Sequence, residues 1–135
     1  MIIKNYELTK NNILNNKIFL LYGENEGYKN QIINDVILNN NKFDVTKYDE
    51  SEILENYEEF IQNLLNKSFF ENEKKIIINR VTDKSINFVE ELIQRKIYDN
   101  TIIFVSEILQ KKSKIRNIFE KEKELVCVPF YLDNN

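Results

Sequence analysis

The sequence predicts an α/β fold with a five-stranded, mostly parallel sheet covered by helices on both faces. Five short apolar runs are separated by four segments whose apolar residues recur at helical spacing. The connections between successive runs are long enough for crossovers, and strands joined in this way are mostly parallel. At 135 residues the chain has the length of one domain with a substantial core.

The predicted strands are the short runs rich in isoleucine, valine, leucine and phenylalanine. They cover residues 18–22, 42–48, 74–81, 101–105 and 125–128, and Pro129 ends the last one. The second run alternates apolar and polar residues, which favours a position near an edge of the sheet. The third contains Ile76-Ile77-Ile78 and is expected at the centre.

Four predicted helices connect these strands. Their apolar residues recur three and four positions apart over residues 28–37, 49–65, 83–93 and 111–123. Asp49 with Glu52 three residues on has the pattern of a capping box, and Asp83 and Ser113 belong to the residue types that cap helices.

A strand, a glycine turn and a helix follow one another at the first crossover. The turn is Gly23-Glu24-Asn25-Glu26-Gly27, which contains both glycines of the chain, and this order of elements opens nucleotide-binding α/β domains. A P-loop, GxxxxGK[ST], also needs a lysine for the phosphates and a hydroxyl for magnesium. Here the second glycine comes one position early, followed by Tyr28-Lys29, and Glu24 and Glu26 would repel a polyphosphate. We therefore predict a degenerate phosphate loop, without nucleotide chemistry and without a cofactor.

The composition argues against most catalytic centres. The chain has no histidine, and its single cysteine, Cys127, lies in an apolar run, so neither a histidine base, a zinc site nor a disulfide framework is expected. The third strand ends in Asn79-Arg80, where a P-loop ATPase would carry acids that hold magnesium. We expect no catalytic site. The lone cysteine and the lack of an apolar run long enough to span a bilayer favour a reducing cytoplasm.

Two adjacent aromatic residues form the first candidate binding feature. Ser68-Phe69-Phe70 stands between the second predicted helix and the third strand. One interpretation is that an aromatic ring closes the bottom of the sheet. The other is an exposed apolar anchor for a protein partner.

A compact basic cluster is the second candidate feature. It comprises Lys111, Lys112, Lys114 and Arg116. It is either the solvated start of a helix or a contact for phosphates or an acidic partner. The net charge of −3 gives the chain no overall attraction to DNA.

Four segments together resemble one family, the delta subunit of the bacterial DNA polymerase III clamp loader, in its N-terminal domain. Leu20–Gly27 is similar to the family's LLYGxDxG, Leu65–Phe70 to its L…SLF segment, Leu109–Glu120 to LDKRSKLRKLFE, and Val128–Tyr131 to xPCY. The order and spacing of these segments extend the resemblance over nearly the whole chain.

The resemblance implies an AAA+ domain with a RecA-like, P-loop-type three-layer sheet whose phosphate loop has decayed. Residues 1–135 would be that single domain, without the family's lid and collar domains. The family belongs to the DNA polymerase III holoenzyme, a DNA-directed DNA polymerase, but delta subunits do not hydrolyse ATP. They bind the sliding clamp (beta subunit) and open it for loading onto primed DNA in DNA replication.

Further partners implied by the resemblance are the clamp-loader ATPase subunits and the delta-prime subunit, in the full-length protein, with DNA binding only through the complex. Carried over, the clamp-binding segment is Ser68, Phe69 and Phe70. The family's usual pair is Leu-Phe, so Phe69 departs from the pattern while keeping its apolar bulk.

Three alternatives stand beside this interpretation. A nucleotide-binding P-loop-like enzyme or regulatory domain with an atypical loop would bind ATP or GTP. A nucleic-acid-binding module using residues 111–116 would show steeply salt-dependent DNA binding. A receiver domain would need acids at the ends of the first and third strands, where Tyr22 and Asn79 stand.

Overall fold

Five strands form one sheet in which every pair of neighbours is parallel. The computed structural model describes residues 1–9, 18–34, 44–65, 74–97 and 100–131. The strands are Ile18–Tyr22 (β1), Asp44–Asp49 (β2), Lys74–Asn79 (β3), Thr101–Val105 (β4) and Leu125–Pro129 (β5). Their order is β2-β3-β4-β1-β5. The predicted α/β class with a parallel sheet is confirmed, and β2 lies at an edge as expected. The prediction of β3 as the central strand was wrong, because β4 occupies the middle of the sheet.

The helices are Glu26–Ile32 (α1), Glu50–Glu55 (α2), Tyr57–Leu65 (α3), Ile86–Gln94 (α4) and Lys114–Lys121 (α5). Short 3-10 helices cover Asn5–Thr9 and Asp83–Ser85. The helix predicted over residues 49–65 is divided in two at Asn56, whose φ of −124° and ψ of 40° are not helical. The Asn56 side-chain amide donates to the Glu52 carbonyl oxygen at 3.4 Å, the kind of side-chain bond by which asparagine competes with helical hydrogen bonds. The predicted capping box at Asp49 is present.

The two faces of the sheet carry separate apolar clusters. On one face Ile18, Leu20 and Tyr22 of β1 join buried residues of α3, α4 and α5. On the other face Phe19 and Leu21 join Ile32 and Ile33 at the end of α1. When connections between parallel strands are right-handed, two connections that run in opposite directions across the sheet place their helices on opposite faces. The connection from β1 to β2 runs toward the β2 edge, whereas the later connections run toward the β5 edge. The arrangement is consistent with three layers.

Cys127 is a buried free thiol, in agreement with its position in an apolar run. Burial raises the pKa of this thiol to about 12. Within the described ranges no helix combines the length and apolar character needed to cross a membrane.

Candidate functional site at the carboxyl-terminal edge of the sheet

The strand order creates a crevice at the carboxyl ends of β1 and β4. These two strands are neighbours, but α1 follows β1 on one face and α5 follows β4 on the other. Ligands of open α/β sheets bind outside the carboxyl ends of the strands, at such a switch point. The loop after β1 and the segment after β4 therefore border the candidate site.

Gly23 turns the chain sharply out of β1. Its φ is +124°, in a region that side chains rarely adopt, and its N–H donates to the Glu107 carbonyl oxygen at 3.0 Å. A β-carbon at this position would lie 2.1 Å from the Phe130 carbonyl oxygen. Both the backbone conformation and the close approach of the segment after β5 therefore require glycine here.

Lys29 is completely buried, and its ammonium group donates three hydrogen bonds in the crevice. Nζ lies 2.8 Å from the Gly23 carbonyl oxygen, 2.9 Å from the Ser106 carbonyl oxygen and 2.5 Å from Glu26 Oε1. Ser106 directly follows β4, and its hydroxyl donates to the Val81 carbonyl oxygen at 2.7 Å. Lys29 thus joins the glycine loop to the end of β4, and the Ser106 hydroxyl links that end to the segment after β3.

Lys29 has a role that was not predicted from the sequence, where it was named only as a residue that follows the displaced second glycine. It stands six residues after Gly23, the separation between the first glycine and the lysine of GxxxxGK[ST]. This spacing could have identified it, although the second glycine is displaced. Glu26, expected only to repel a polyphosphate, is the ion-pair partner of Lys29, and its own side chain is 59% exposed. In a P-loop the lysine ammonium group contacts a phosphate, whereas here the Lys29 ammonium group contacts the Glu26 carboxylate.

Several N–H groups of the glycine loop are engaged within the chain. Gly23 donates to Glu107 as above, Asn25 N–H to the Phe130 carbonyl oxygen at 3.2 Å, and Tyr28 N–H to Asn25 Oδ1 at 3.1 Å. A phosphate cradle needs such groups directed at the ligand. Gly27 lies inside α1, which begins earlier than predicted. The loop follows the first strand, as a phosphate loop does, but these three N–H groups donate to acceptors of the chain itself.

An acidic side chain reaches the end of β3 from another element. Glu50, the first residue of α2, is buried, and its carboxylate accepts hydrogen bonds from Thr82 N–H at 2.7 Å, the Thr82 hydroxyl at 2.8 Å and the Ser85 hydroxyl at 2.6 Å. Only the side-by-side pairing of β2 and β3 brings these segments together, so no local pattern in the sequence announces the contact. Among the described residues, no group of three or more acidic or cysteine side chains could hold a metal ion.

We expect Glu50→Ala to lower the free energy of unfolding by about 2 kcal/mol, because a buried carboxylate with three hydrogen bonds is lost and the Ser85 hydroxyl loses its acceptor. Urea denaturation, monitored by circular dichroism, measures the change in the free energy of unfolding. Glu55→Ala, at the exposed end of the same helix, is the matched control and is expected to change stability by less than about 0.5 kcal/mol. Equal stability of the two variants would contradict the role assigned to Glu50.

Asp83, predicted to cap the helix that follows it, instead accepts hydrogen bonds from the start of α5. Its Oδ1 accepts from the Ser113 hydroxyl at 2.7 Å and from Ile115 N–H at 3.1 Å, while Thr82 caps the 3-10 helix that contains Asp83. The predicted cap Ser113 is confirmed, since its Oγ accepts from Arg116 N–H. Partial burial raises the pKa of the Asp83 carboxyl, but the hydrogen bonds to it outweigh this effect and hold the pKa below its ordinary value of 3.8.

The Asp83 contact predicts a pH-dependent contribution to stability. Because the pKa is lower in the folded chain than in the unfolded chain, the contribution is complete above pH 3.8 and is lost as the pH falls through the lower, folded value. We expect Asp83→Asn to cost about 1 kcal/mol at neutral pH, the usual effect of losing a cap, and less in strong acid. Urea denaturation of both proteins between pH 7 and pH 2.5 tests this. A difference that stays constant through the acid range would contradict it.

The predicted basic cluster is only partly gathered at the surface. Its exposed members are Lys111, Lys112 and Lys114. Arg116 is turned toward the protein: Nε donates to Glu120 at 3.0 Å, Nη1 donates to the Leu109 carbonyl oxygen at 2.9 Å, and the guanidinium lies 5.2 Å from the centre of the Tyr22 ring. Any contact of this cluster with phosphates or an acidic partner would therefore be made by the three lysines.

The predicted clamp-binding segment, Ser68, Phe69 and Phe70, lies outside the described residues. Its described flanks are Leu65, at the end of α3, and Lys74, at the start of β3. The chain matches no protein-family model and no curated protein.

Proposed function

We propose that this chain is the N-terminal domain of a clamp-loader delta subunit, which binds the sliding clamp and helps to open it for loading onto primed DNA, without hydrolysing ATP. The observation that carries the proposal is Lys29, a lysine at P-loop spacing whose ammonium group is bound by Glu26 and by two main-chain carbonyls. A phosphate loop closed by the chain's own groups agrees with the decayed loop that the resemblance implies.

The strand order supports this proposal against two other nucleotide-binding architectures. The Rossmann order, 3-2-1-4-5-6, has the first strand between the second and fourth. The flavodoxin-like order, 2-1-3-4-5, which receiver domains share, has it between the second and third. Here β1 lies between β4 and β5. The strand order therefore differs from both of these architectures, which favours the RecA-like sheet of an AAA+ domain that the resemblance implies.

A nucleotide-binding enzyme or regulatory domain with an atypical loop is the second candidate, and the spacing of Lys29 from Gly23 favours it. A nucleotide would have to displace Glu26 from the ammonium group and draw Asn25 N–H away from Phe130. Arg80 also stands at the end of β3, where a magnesium-binding acid would be needed. We therefore prefer the scaffold role, in which the loop holds the domain together.

In the proposed mechanism, Phe69 and Phe70 enter an apolar pocket of the clamp. Such an anchor contributes on the order of 2–4 kcal/mol when it is a hot spot. The domain needs only to bind the opened form of the clamp more tightly than the closed ring, because a ligand shifts an equilibrium by its differential affinity. In a full loader, the ATPase and delta-prime subunits would control access to this surface, and DNA would be bound through the complex.

The test is calorimetric titration of the chain with a purified bacterial sliding clamp. We expect the parent chain to bind and Phe70→Ala to weaken binding by about thirtyfold or more, the equivalent of a lost hot spot. Tyr6→Ala is the matched control, because Tyr6 is an aromatic residue with 62% of its surface exposed outside the proposed contact. Circular dichroism of each variant verifies that it is folded.

Titration with ATP and magnesium separates the two candidates. The clamp-loader proposal predicts no binding of ATP, whereas the second candidate predicts binding that weakens in Lys29→Met. A parent chain without affinity for the clamp, or a folded Phe70→Ala that binds as tightly as the parent, would overturn the clamp-loader proposal.

A further inference from the structure

A cleft of about 620 Å³ opens at the carboxyl-terminal edge of the sheet, beside the glycine loop. Its walls are the segment after β3, from Arg80 to Lys84, and the segment after β4, from Glu107 to Ser113. The volume falls within the range of ligand-binding clefts. The proposed clamp contact precedes β3 in the chain, whereas the cleft follows it, so the proposed function does not use this cleft.

The cleft has an apolar wall that remains open to solvent. Ile108 has 64% of its surface exposed, the highest value among the large exposed hydrophobic residues that the structure describes. Beside it, Val81 is buried and Leu109 packs against the main apolar cluster. An apolar side chain placed here would remove the surface of Ile108 from water without any rearrangement of the core.

Three cationic side chains line the same cleft: Arg80, Lys84 and Lys112. Arg80 has a φ of 56°, unusual for a residue other than glycine, and pairs with Asp49, which holds its guanidinium at the edge of β3. Lys84 and Lys112 are exposed, and neither forms an ion pair with another described residue. With Lys111 and Lys114 nearby, this region is basic although the whole chain has a net charge of −3.

Two carboxylates also line the cleft, and they differ in whether hydrogen bonds from the chain already stabilise their charge. The Asp83 carboxylate accepts hydrogen bonds from the Ser113 hydroxyl and from Ile115 N–H. Glu107 is exposed, and its side chain has no such partner among the described residues. An anionic ligand is therefore attracted toward Lys84 and Lys112 and repelled at Glu107.

We propose that the cleft binds an extended acidic peptide segment that carries a large apolar side chain. The apolar side chain packs on Ile108 and Leu109, and the neighbouring carboxylates pair with Lys84 and Lys112. Charge complementarity selects the acidic partner, and the apolar wall favours a peptide over a nucleic acid, whose phosphates would find only part of the surface suitable. This inference does not depend on the clamp-loader proposal.

The probe is a fluorescein-labelled ten-residue peptide of aspartates and glutamates with a central Leu-Phe pair. Fluorescence anisotropy measures its binding to the parent chain. We expect binding to weaken about tenfold in Lys84→Glu/Lys112→Glu and about tenfold in Ile108→Ser, and to strengthen in Glu107→Gln. Lys121→Glu/Lys123→Glu, which changes the net charge equally at exposed positions away from the cleft, is the matched control and should bind more like the parent.

Two comparison probes identify the ligand class: an all-acidic peptide without the apolar pair, and a single-stranded oligonucleotide of equal charge. Both are expected to bind at least about tenfold more weakly than the first peptide. Amide chemical shifts induced by the peptide should be largest at residues 80–84 and 107–113. The proposal is overturned by no binding at about 1 mM peptide, by equal weakening in the two double variants, or by preference for the oligonucleotide.

Discussion

Gly23→Ala is expected to destabilise the protein by more than about 4 kcal/mol, or to prevent folding altogether. The residue has a φ of +124°, which an alanine adopts only with strain. The new β-carbon would also lie 2.1 Å from the carbonyl oxygen and 2.6 Å from the carbonyl carbon of Phe130. These are main-chain atoms at the end of β5, so relief requires movement of the sheet edge rather than of a side chain.

Gly27→Ala is the matched control, because it makes the same change in the same loop. Outside its chain neighbours and its own helix backbone, the nearest described atom to its added β-carbon is Asn25 Oδ1 at 4.0 Å, and the residue lies in α1, where alanine is favoured over glycine. We expect this variant to be as stable as the parent or more stable by up to about 1 kcal/mol. Thermal and urea denaturation of both variants measures the contrast. If the Gly23→Ala and Gly27→Ala proteins unfold at the same temperature and urea concentration, the geometry described for this loop is refuted.

Lys29→Met is expected to lower the free energy of unfolding by about 3–5 kcal/mol. Methionine has a similar length but no donor, so the Gly23 and Ser106 carbonyl oxygens lose the ammonium group that bridges them. The bridge joins the loop after β1 to the segment after β4 inside the crevice, where water does not replace it easily. Losing one partner of a buried, charge-assisted set is among the more damaging single changes.

Two controls separate the bridge from simple loss of charge. Glu26→Gln leaves both carbonyl contacts of Lys29 in place and removes a carboxylate that is 59% exposed, so its effect should stay within about 1 kcal/mol. Lys121→Met removes an exposed lysine and should change stability by less than about 0.5 kcal/mol. If Glu26→Gln proves as damaging as Lys29→Met, the ion pair rather than the carbonyl bridge stabilises the crevice.

The sequence predictions were most accurate for features that a few neighbouring residues determine. β1 and β4 were predicted residue for residue, because a short, largely apolar run buried on both faces leaves little freedom in where a strand begins and ends. The single helix expected over residues 49–65 was wrong, because its apolar stripe continues across Asn56 while the backbone does not. Apolar periodicity reports which face is buried and does not register a local break.

The candidate site was predicted in position but not in its contacts. The turn after β1 was predicted because strand, turn and helix are read from neighbouring residues, but the helix begins at Glu26, inside the predicted loop. The role of Lys29 was missed, although its spacing from Gly23 was visible. Glu50 carried no signal at all, because its partners Thr82 and Ser85 follow a different strand.

The sequence by itself determined the α/β class, the parallel direction of the strands and the position of the glycine loop, because each follows from residues close together in the chain. Only the tertiary structure decided the strand order and the groups that meet at the carboxyl-terminal edge. The hydrogen bonds of Lys29 to Ser106, Glu50 to Thr82 and Asp83 to Ser113 join residues 77, 32 and 30 positions apart. Such contacts form only when the sheet brings its strand ends together, and no periodicity or local motif encodes which strand ends will be neighbours.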